Sequence, residues 1–344
     1  MSEMPTLDSI KLSGAVNATI NDRTSLRQFS PKDKKWDDRR AESDRIAELY
    51  KGTLLDRLTD KITACAERLW FAWQIGETGD KKLNLRYAWF CRNRQCSICQ
   101  WRKSLVWRYK ALQVIPKIVE AYPKHRFILL TLTIRNCHIT ELRATLEKMS
   151  KAWMRLTKRK QWPADGWLRT LEITRGKDDT CHPHYHCLLM VKPSYFGGKS
   201  YLSQQTWTDL WQQSLQIDYP PVVDVRTVKP KKGSDNDNLG AILETFKYTV
   251  KPSDMMGNIK GKITDKDRDW LVEFTCQVKG TRTVATGGIL KEYLKKLENE
   301  SESESEDLIH VGENGETEDN PNSPSLIFEW EKPKKKYLIR EDEL

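Results

Sequence analysis

Three of the chain's six histidines fall within five residues, alternating along Cys181, His182, Pro183, His184, Tyr185 and His186. In an extended strand, residues two apart share a face, so this spacing lines up imidazoles on one side. Cys187, Leu188, Leu189, Met190 and Val191 continue the segment as an apolar run. A strand that is apolar at one end and carries imidazoles at the other belongs to a sheet whose face is only partly covered, and that constrains the fold more than any other segment. Residues 167–174 read as a partner strand, joined to residues 184–192 through the turn-rich Arg175, Gly176, Lys177, Asp178 and Asp179. The pair predicts a hairpin.

Residues 126–135 are apolar and β-rich, as a central strand should be, and residues 222–228 alternate as a further strand. Leu142, Leu146, Met149, Trp153 and Leu156 recur at three and four residues, which predicts a helix over 141–159 with one buried face. Further helices are expected over 101–122, 203–215, 239–250, where Pro252 stops the run, and 288–297. Strands separated by helices, with an antiparallel hairpin, define an α+β fold: a central antiparallel sheet with helices mainly on one face. Residues 1–43 are charged and lack periodicity, which predicts a flexible N-terminal arm. Residues 44–122 hold a cysteine-bearing, helical region, and residues 123–297 hold the sheet. Residues 298–344 are expected to form an acidic, largely disordered tail, because the Ser-Glu repeats at 301–307 cannot build a core.

Charge narrows the partner. Lys and Arg number 58 against 48 Asp and Glu, and ten of the acids lie in residues 298–320, which contain no Lys or Arg. The rest of the chain sets 58 basic against 38 acidic residues, a net +20. Such a body favours a polyanion, and the 13 Trp, several beside Arg or Lys, offer stacking surfaces for unpaired bases. No apolar run reaches the roughly 18 residues of a membrane span, and the N-terminus carries no signal pattern. A soluble, intracellular protein without membrane contact is expected.

Two metal sites are readable. Glu172, inside Thr170, Leu171, Glu172, Ile173 and Thr174, is a carboxylate in an apolar strand and needs a partner. His184 and His186 on the neighbouring strand provide it, and the three together make a ligand set with open coordination positions. Mg²⁺ or Mn²⁺ is the expected ion there, although imidazoles also suit Zn²⁺. His182 remains a neighbour that could orient a ligand or touch substrate. Cys91, Cys96 and Cys99 have the tight spacing of a structural zinc site, with Cys65 as the natural fourth thiolate. The intervening Arg92, Asn93, Arg94, Gln95 and Ser97 look too polar for a core. Thiols arranged for metal, with the other four cysteines scattered, suit a reducing compartment. Farther along, Glu244 and Tyr248 are four apart and share a helix face, with Lys247 and Lys251 beside them for phosphate contacts. A tyrosine, with a free pKa of about 10, becomes a nucleophile only beside a metal or a base.

Leu130, Thr131, Leu132 and Thr133, then His182, Pro183, His184, Tyr185 and His186, then Glu244 and Tyr248, in that order, resemble the three motifs of rolling-circle plasmid replication initiators of the His-hydrophobic-His endonuclease superfamily. The resemblance is to the branch with one catalytic tyrosine and a glutamate one turn before it, and it runs from about residue 65 to 295. It implies an RNA-recognition-motif-like palm, His184 and His186 as metal ligands with Glu172 completing the set, and Thr131 and Thr133 as supporting neighbours. It further implies Tyr248 as the nucleophile that leaves a 5′-phosphotyrosine and a free 3′-hydroxyl, and Glu244 as activator of the terminating water. Similar initiators carry cysteines ahead of the first motif, followed by a basic stretch like Gln100, Trp101, Arg102 and Lys103. This implies a zinc-binding module that sets Arg92, Arg94, Arg102, Lys103 and Arg108 on origin DNA. The partners implied are plasmid origin DNA, single-stranded at the nick, with a host helicase and polymerase in a prokaryotic cytoplasm; a dimer is compatible. A single-tyrosine transposase or relaxase is the nearest alternative, and a zinc-dependent DNA-binding regulator is the alternative without catalysis.

Overall fold

The computed structural model describes residues 24–75, 81–228, 262–300, 308–309, 311–312, 315–316 and 325–340. Helices α1 (Leu26–Phe29), α2 (Lys35–Tyr50) and α3 (Arg57–Ala64) lead into strands β1 (Arg68–Ile75) and β2 (Lys81–Ala88) and the long helix α4 (Ser97–Ala121). Then come β3 (Arg126–Thr133), α5 (Leu142–Thr157), β4 (Ala164–Arg175), β5 (Cys181–Val191), α6 (Gln204–Leu215) and β6 (Val223–Thr227). After a segment outside the described residues follow α7 (Asp265–Gln277), β7 (Val284–Gly287), α8 (Gly288–Glu300), β8 (Ser325–Glu331) and β9 (Lys336–Ile339). The helix expected over residues 239–250 falls in that segment.

One antiparallel sheet has the order β6-β3-β5-β4-β7. Ile128, Leu130, Leu132, Leu171, Ile173, Tyr185, Cys187 and Leu189 fill one face against Leu142, Leu146, Met149 and Trp153 of α5 and Trp207 and Trp211 of α6. The opposite face changes character halfway along its strands. Phe127, Leu168, Leu188 and Met190 are buried against Ala111, Val114, Ile115 and Ile118 of α4 and Leu290 of α8. Two to four residues farther along the same face stand Thr131, Thr170, Glu172, His184 and His186. The α+β antiparallel architecture is as expected, but helices cover the apolar half of the second face as well as the whole of the first.

A second antiparallel sheet, ordered β9-β8-β1-β2, packs Leu69, Phe71, Phe328 and Tyr337 against Trp36, Ile46, Leu49 and Tyr50 of α2. This corrects both chain ends. Residues 24–43 are not a flexible arm: α2 places Trp36 between the rings of Phe71, Phe90, Trp101 and Tyr337. The helix escaped sequence reading because part of its buried side is polar, with Arg40 paired to Asp44 at 3.1 Å and Asp37 accepting from the Tyr337 amide at 3.0 Å. Residues 1–23 lie outside the described residues. At the other end, residues 325–340 are not a disordered tail, because β8 pairs with β1 and supplies Phe328 to the core.

The two cores share elements. Helix α4 begins in the second core with Cys96 and Cys99 and ends against the first sheet. Helix α7 gives Leu271 to one core and Trp270 and Phe274 to the other. The Tyr50 hydroxyl lies 2.6 Å from that of Thr275, which fastens α2 to α7.

Candidate metal centres

The register of the β3-β5-β4 ladder assembles the first centre. Thr133 and Glu172 stand opposite His184, and Thr131 and Thr170 stand opposite His186, so all six share one face. Pro183 is tolerated inside β5 because the β3 ladder has ended at the Thr133–His184 pair, leaving no bond there for an N–H to make. The His186 Nε2 lies 3.0 Å and the His184 Nε2 3.5 Å from Glu172 Oε2, and the three ligand atoms all fall within 4.8 Å of one another. Ligand atoms about 3 Å apart are what one ion with bonds near 2.1 Å requires at a right angle. Each ring is also aimed. His184 Nδ1 sits 3.1 Å from the His182 carbonyl, to which only an N–H can donate, leaving Nε2 with its lone pair toward Glu172. His186 Nδ1 lies 3.3 Å from the Thr131 hydroxyl. The group can therefore hold a metal ion, and the His186 side chain keeps a quarter of its surface exposed.

Not every expected neighbour converges. Thr133 donates from its hydroxyl to the Val222 carbonyl at 2.9 Å, so it fastens the end of β3 instead of serving a histidine. His182 stands outside the three-ligand group, its Nδ1 2.6 Å from Asn136 Oδ1. Burial and the neighbouring His184 push its pKa down, favouring the neutral ring. Asn136, which also donates to the Thr180 hydroxyl at 3.1 Å, went unnoticed in the sequence. Nothing in its local pattern distinguishes it from a turn residue. Tyr185 lies on the opposite face, buried against Trp153 and Trp211, with its pKa pushed up to about 12 by burial. It offers no nucleophile to this site. Glu244, Lys247, Tyr248 and Lys251 lie outside the described residues.

Three separate segments build the second centre. Cys65 ends α3, Cys91 follows β2, and Cys96 and Cys99 flank the start of α4. The Sγ atoms of Cys65 and Cys99, of Cys65 and Cys96, and of Cys91 and Cys99 are 3.6, 3.6 and 3.7 Å apart. Four thiolates around a tetrahedral ion with 2.3 Å bonds stand about 3.8 Å apart, so the tetrad fits such an ion. Arg92 takes a left-handed φ of 53°, which turns the chain between Cys91 and Cys96. Hydrogen bonds from Cys65, Cys91 and Cys99 hold the Cys96 thiol well below the usual range, so negative charge is favoured there. Gln95 and Ser97 are buried despite their polarity. The Ser97 hydroxyl donates to Glu42, and the Gln95 backbone N–H donates to Asn93 Oδ1.

Two of the arginines expected on DNA are used inside the protein. Arg94 donates to the Val278 and Thr281 carbonyls at 3.0 and 2.8 Å, satisfying acceptors at the C-terminal end of α7. Arg102 is buried, donates to the Leu308 carbonyl at 2.7 Å and lies over the Trp36 and Trp101 rings. A guanidinium is chosen there because its planar fork satisfies several carbonyls at once. Arg92 is exposed, and Lys103 and Arg108 are half-buried.

The fold and these centres define an α+β protein with two metal-ligand groups, one closed by sulfur and one partly open on a sheet face. The chain belongs to the Replication protein family of plasmid replication initiators, whose sequence profile matches residues 82–338. It is 32% identical over 316 residues to "Protein rep" of Streptococcus pneumoniae, covering 90% of this chain and 93% of that one. It is 36% identical over 313 residues to "Protein rep" of Lactiplantibacillus plantarum, covering 88% and 95%, and 34% identical over 310 residues to that of Bacillus amyloliquefaciens, covering 86% and 88%. No solved structure matches the chain. Among the described residues, no helix is long and apolar enough to cross a membrane.

Proposed function

We propose that the chain initiates rolling-circle replication by nicking one strand of a plasmid origin with Tyr248 as nucleophile. The observation that carries this reading is the convergence of Glu172, His184 and His186 on the polar half of a sheet face, in a member of a replication protein family. A divalent cation held by these three, Mg²⁺ or Mn²⁺, supplies Lewis-acid stabilisation of the phosphate oxygens. Glu172 balances the cation's charge, while the His182 carbonyl and the Thr131 hydroxyl keep the two imidazoles aimed.

Tyr248 attacks the scissile phosphorus. A bond from its oxygen to phosphorus forms as the bond to the 3′-oxygen breaks, and the departing oxygen leaves as a 3′-hydroxyl that a host polymerase extends. At termination Glu244 takes a proton from water, which displaces the tyrosine from the 5′-phosphate. Lys247 and Lys251 contact phosphates, and Arg92, Lys103 and Arg108 remain as origin contacts beside a Zn²⁺ ion held by the cysteine tetrad. The setting is a bacterial cytoplasm, with a host helicase unwinding the template.

A labelled single-stranded origin oligonucleotide tests the assignment. With Mg²⁺ or Mn²⁺ present, the wild-type chain should form a covalent protein–DNA adduct, and Tyr248→Phe should form none. An adduct persisting in Tyr248→Phe sinks the assignment of the nucleophile.

A further inference from the structure

We propose that the outer face of the second sheet is a stacking platform for the unpaired bases of a single DNA strand, apart from the nicking site. In β1, Leu69 and Phe71 point into the core, so Arg68 and Trp70 point out. Tyr87 stands opposite Trp70, with its ring centroid 5.2 Å from that of Trp70. A bulge then shifts the register between Trp70 and Phe71, so that Phe71 pairs with Leu85. Beyond β2 the Trp89 carbonyl still accepts from the Ala66 amide at 2.7 Å, so the chain stays extended and Trp89 comes to the same face as Tyr87. Three aromatic side chains thus share one surface, exposed to 41% for Trp70, 48% for Tyr87 and 47% for Trp89.

Rings of this size are ordinarily buried, and a cluster left in water marks an interaction surface. Charge identifies the occupant. Arg68 stands on the platform with 61% of its side chain exposed, and makes a surface ion pair to Glu329 at 2.8 Å. Such a pair is weak, and a phosphate can replace the carboxylate. The chain's formal charge of +10 favours a negatively charged partner, and exposed ring faces suit one that also offers flat apolar bases. Base faces are available to aromatic rings in an unpaired strand and not in a duplex. The cysteine tetrad gains a purpose from this arrangement, since Cys91 lies two residues after Trp89 and anchors that end of the platform.

This inference rests on the proposed function only for its choice of nucleic acid. The test uses the full chain and a labelled oligothymidylate of about 20 nucleotides, compared with a duplex of equal length. Trp70→Ala with Trp89→Ala should weaken oligothymidylate binding about tenfold per ring, Trp70→Phe with Trp89→Phe should stay near wild type, and duplex binding should not change. Tyr87→Ser should also weaken it about tenfold, and it decides the matter if the alanine pair does not fold. Unchanged oligothymidylate binding in the folded alanine pair or in Tyr87→Ser overturns the proposal, as does equal loss for the duplex. A lost Tyr248 adduct with ring-dependent binding intact defeats the nicking reading alone. A retained adduct with ring-independent binding defeats the platform alone.

Discussion

The two metal-ligand groups are built on opposite plans. Cys65, Cys96 and Cys99 are fully buried, and four sulfurs surround one point, so an ion there has no position left for substrate. Glu172, His184 and His186 offer three ligand atoms on a sheet face, with His186 a quarter exposed, so an ion there keeps positions open. The supporting structure differs in the same sense. The cysteines come from three chain segments, the end of α3, the stretch after β2 and the start of α4, whereas the histidines ride on neighbouring positions of a five-stranded sheet with a core on each side. Closure suits holding a fold together, and an open shell on a rigid sheet suits chemistry.

The largest expected effect follows from the closed plan. Structural zinc in small modules contributes on the order of 10 kcal/mol, comparable to the whole stability of a domain. Stripping the ion with a chelator, or replacing Cys96 and Cys99 by Ser, should therefore unfold the second sheet. Because α4 and α7 each tie the core of the second sheet to one face of the first, it should lower the melting temperature of the whole chain by about 10 °C or more. Metal analysis of the purified chain should find zinc. Melting unchanged after chelation would make the tetrad an ordinary set of buried thiols and erase the contrast.

The contrast was partly legible in the sequence. Tight cysteine spacing and histidines at a period of two are local patterns, and both groups assembled as their spacing implied, Glu172 included, because strand parity fixes which side chains share a face. Thr131, implied as a neighbour by the resemblance, lies 3.3 Å from His186. Thr133 shares that parity too, but the adjacent Val222 carbonyl takes its hydroxyl, a partner that no periodicity reveals. Arg94 and Arg102 read as DNA contacts because basic residues beside a cysteine motif look solvent-facing. Their acceptors are carbonyls roughly two hundred residues away, on the α7 end and at Leu308. Residues 24–43 and 325–340 were missed for a related reason. They join a sheet whose other strands lie far off in sequence, and α2 buries Asp37, Arg40, Ser43 and Asp44 beside its apolar residues, which blurs the helical pattern.

Of intermediate size is the effect of opening the histidine centre further. His186→Ala removes a ligand from a side chain that is not part of the core, so nicking should fall by about three orders of magnitude, or about 4 kcal/mol. The melting temperature should move by no more than about 3 °C. Single-turnover nicking alongside thermal melting reads both quantities. A melting shift as large as that of the cysteine variant would show the histidine group to be structural too, and the comparison between the two centres would collapse.

The smallest effect probes how the open centre is tuned. A thiolate presents a single sulfur to its ion, whereas an imidazole can rotate about its bonds and is aimed by what its second nitrogen meets. For His186 that partner is the Thr131 hydroxyl at 3.3 Å. Thr131→Val keeps the shape and removes the oxygen, so the metal concentration giving half-maximal nicking should rise about 10- to 100-fold. At saturating metal the rate should return to near the wild-type value, since the three ligands remain. A metal titration of nicking by the two proteins makes the measurement. Coincident titration curves would mean that the strand alone orients His186, and that the open centre is as self-sufficient as the closed one.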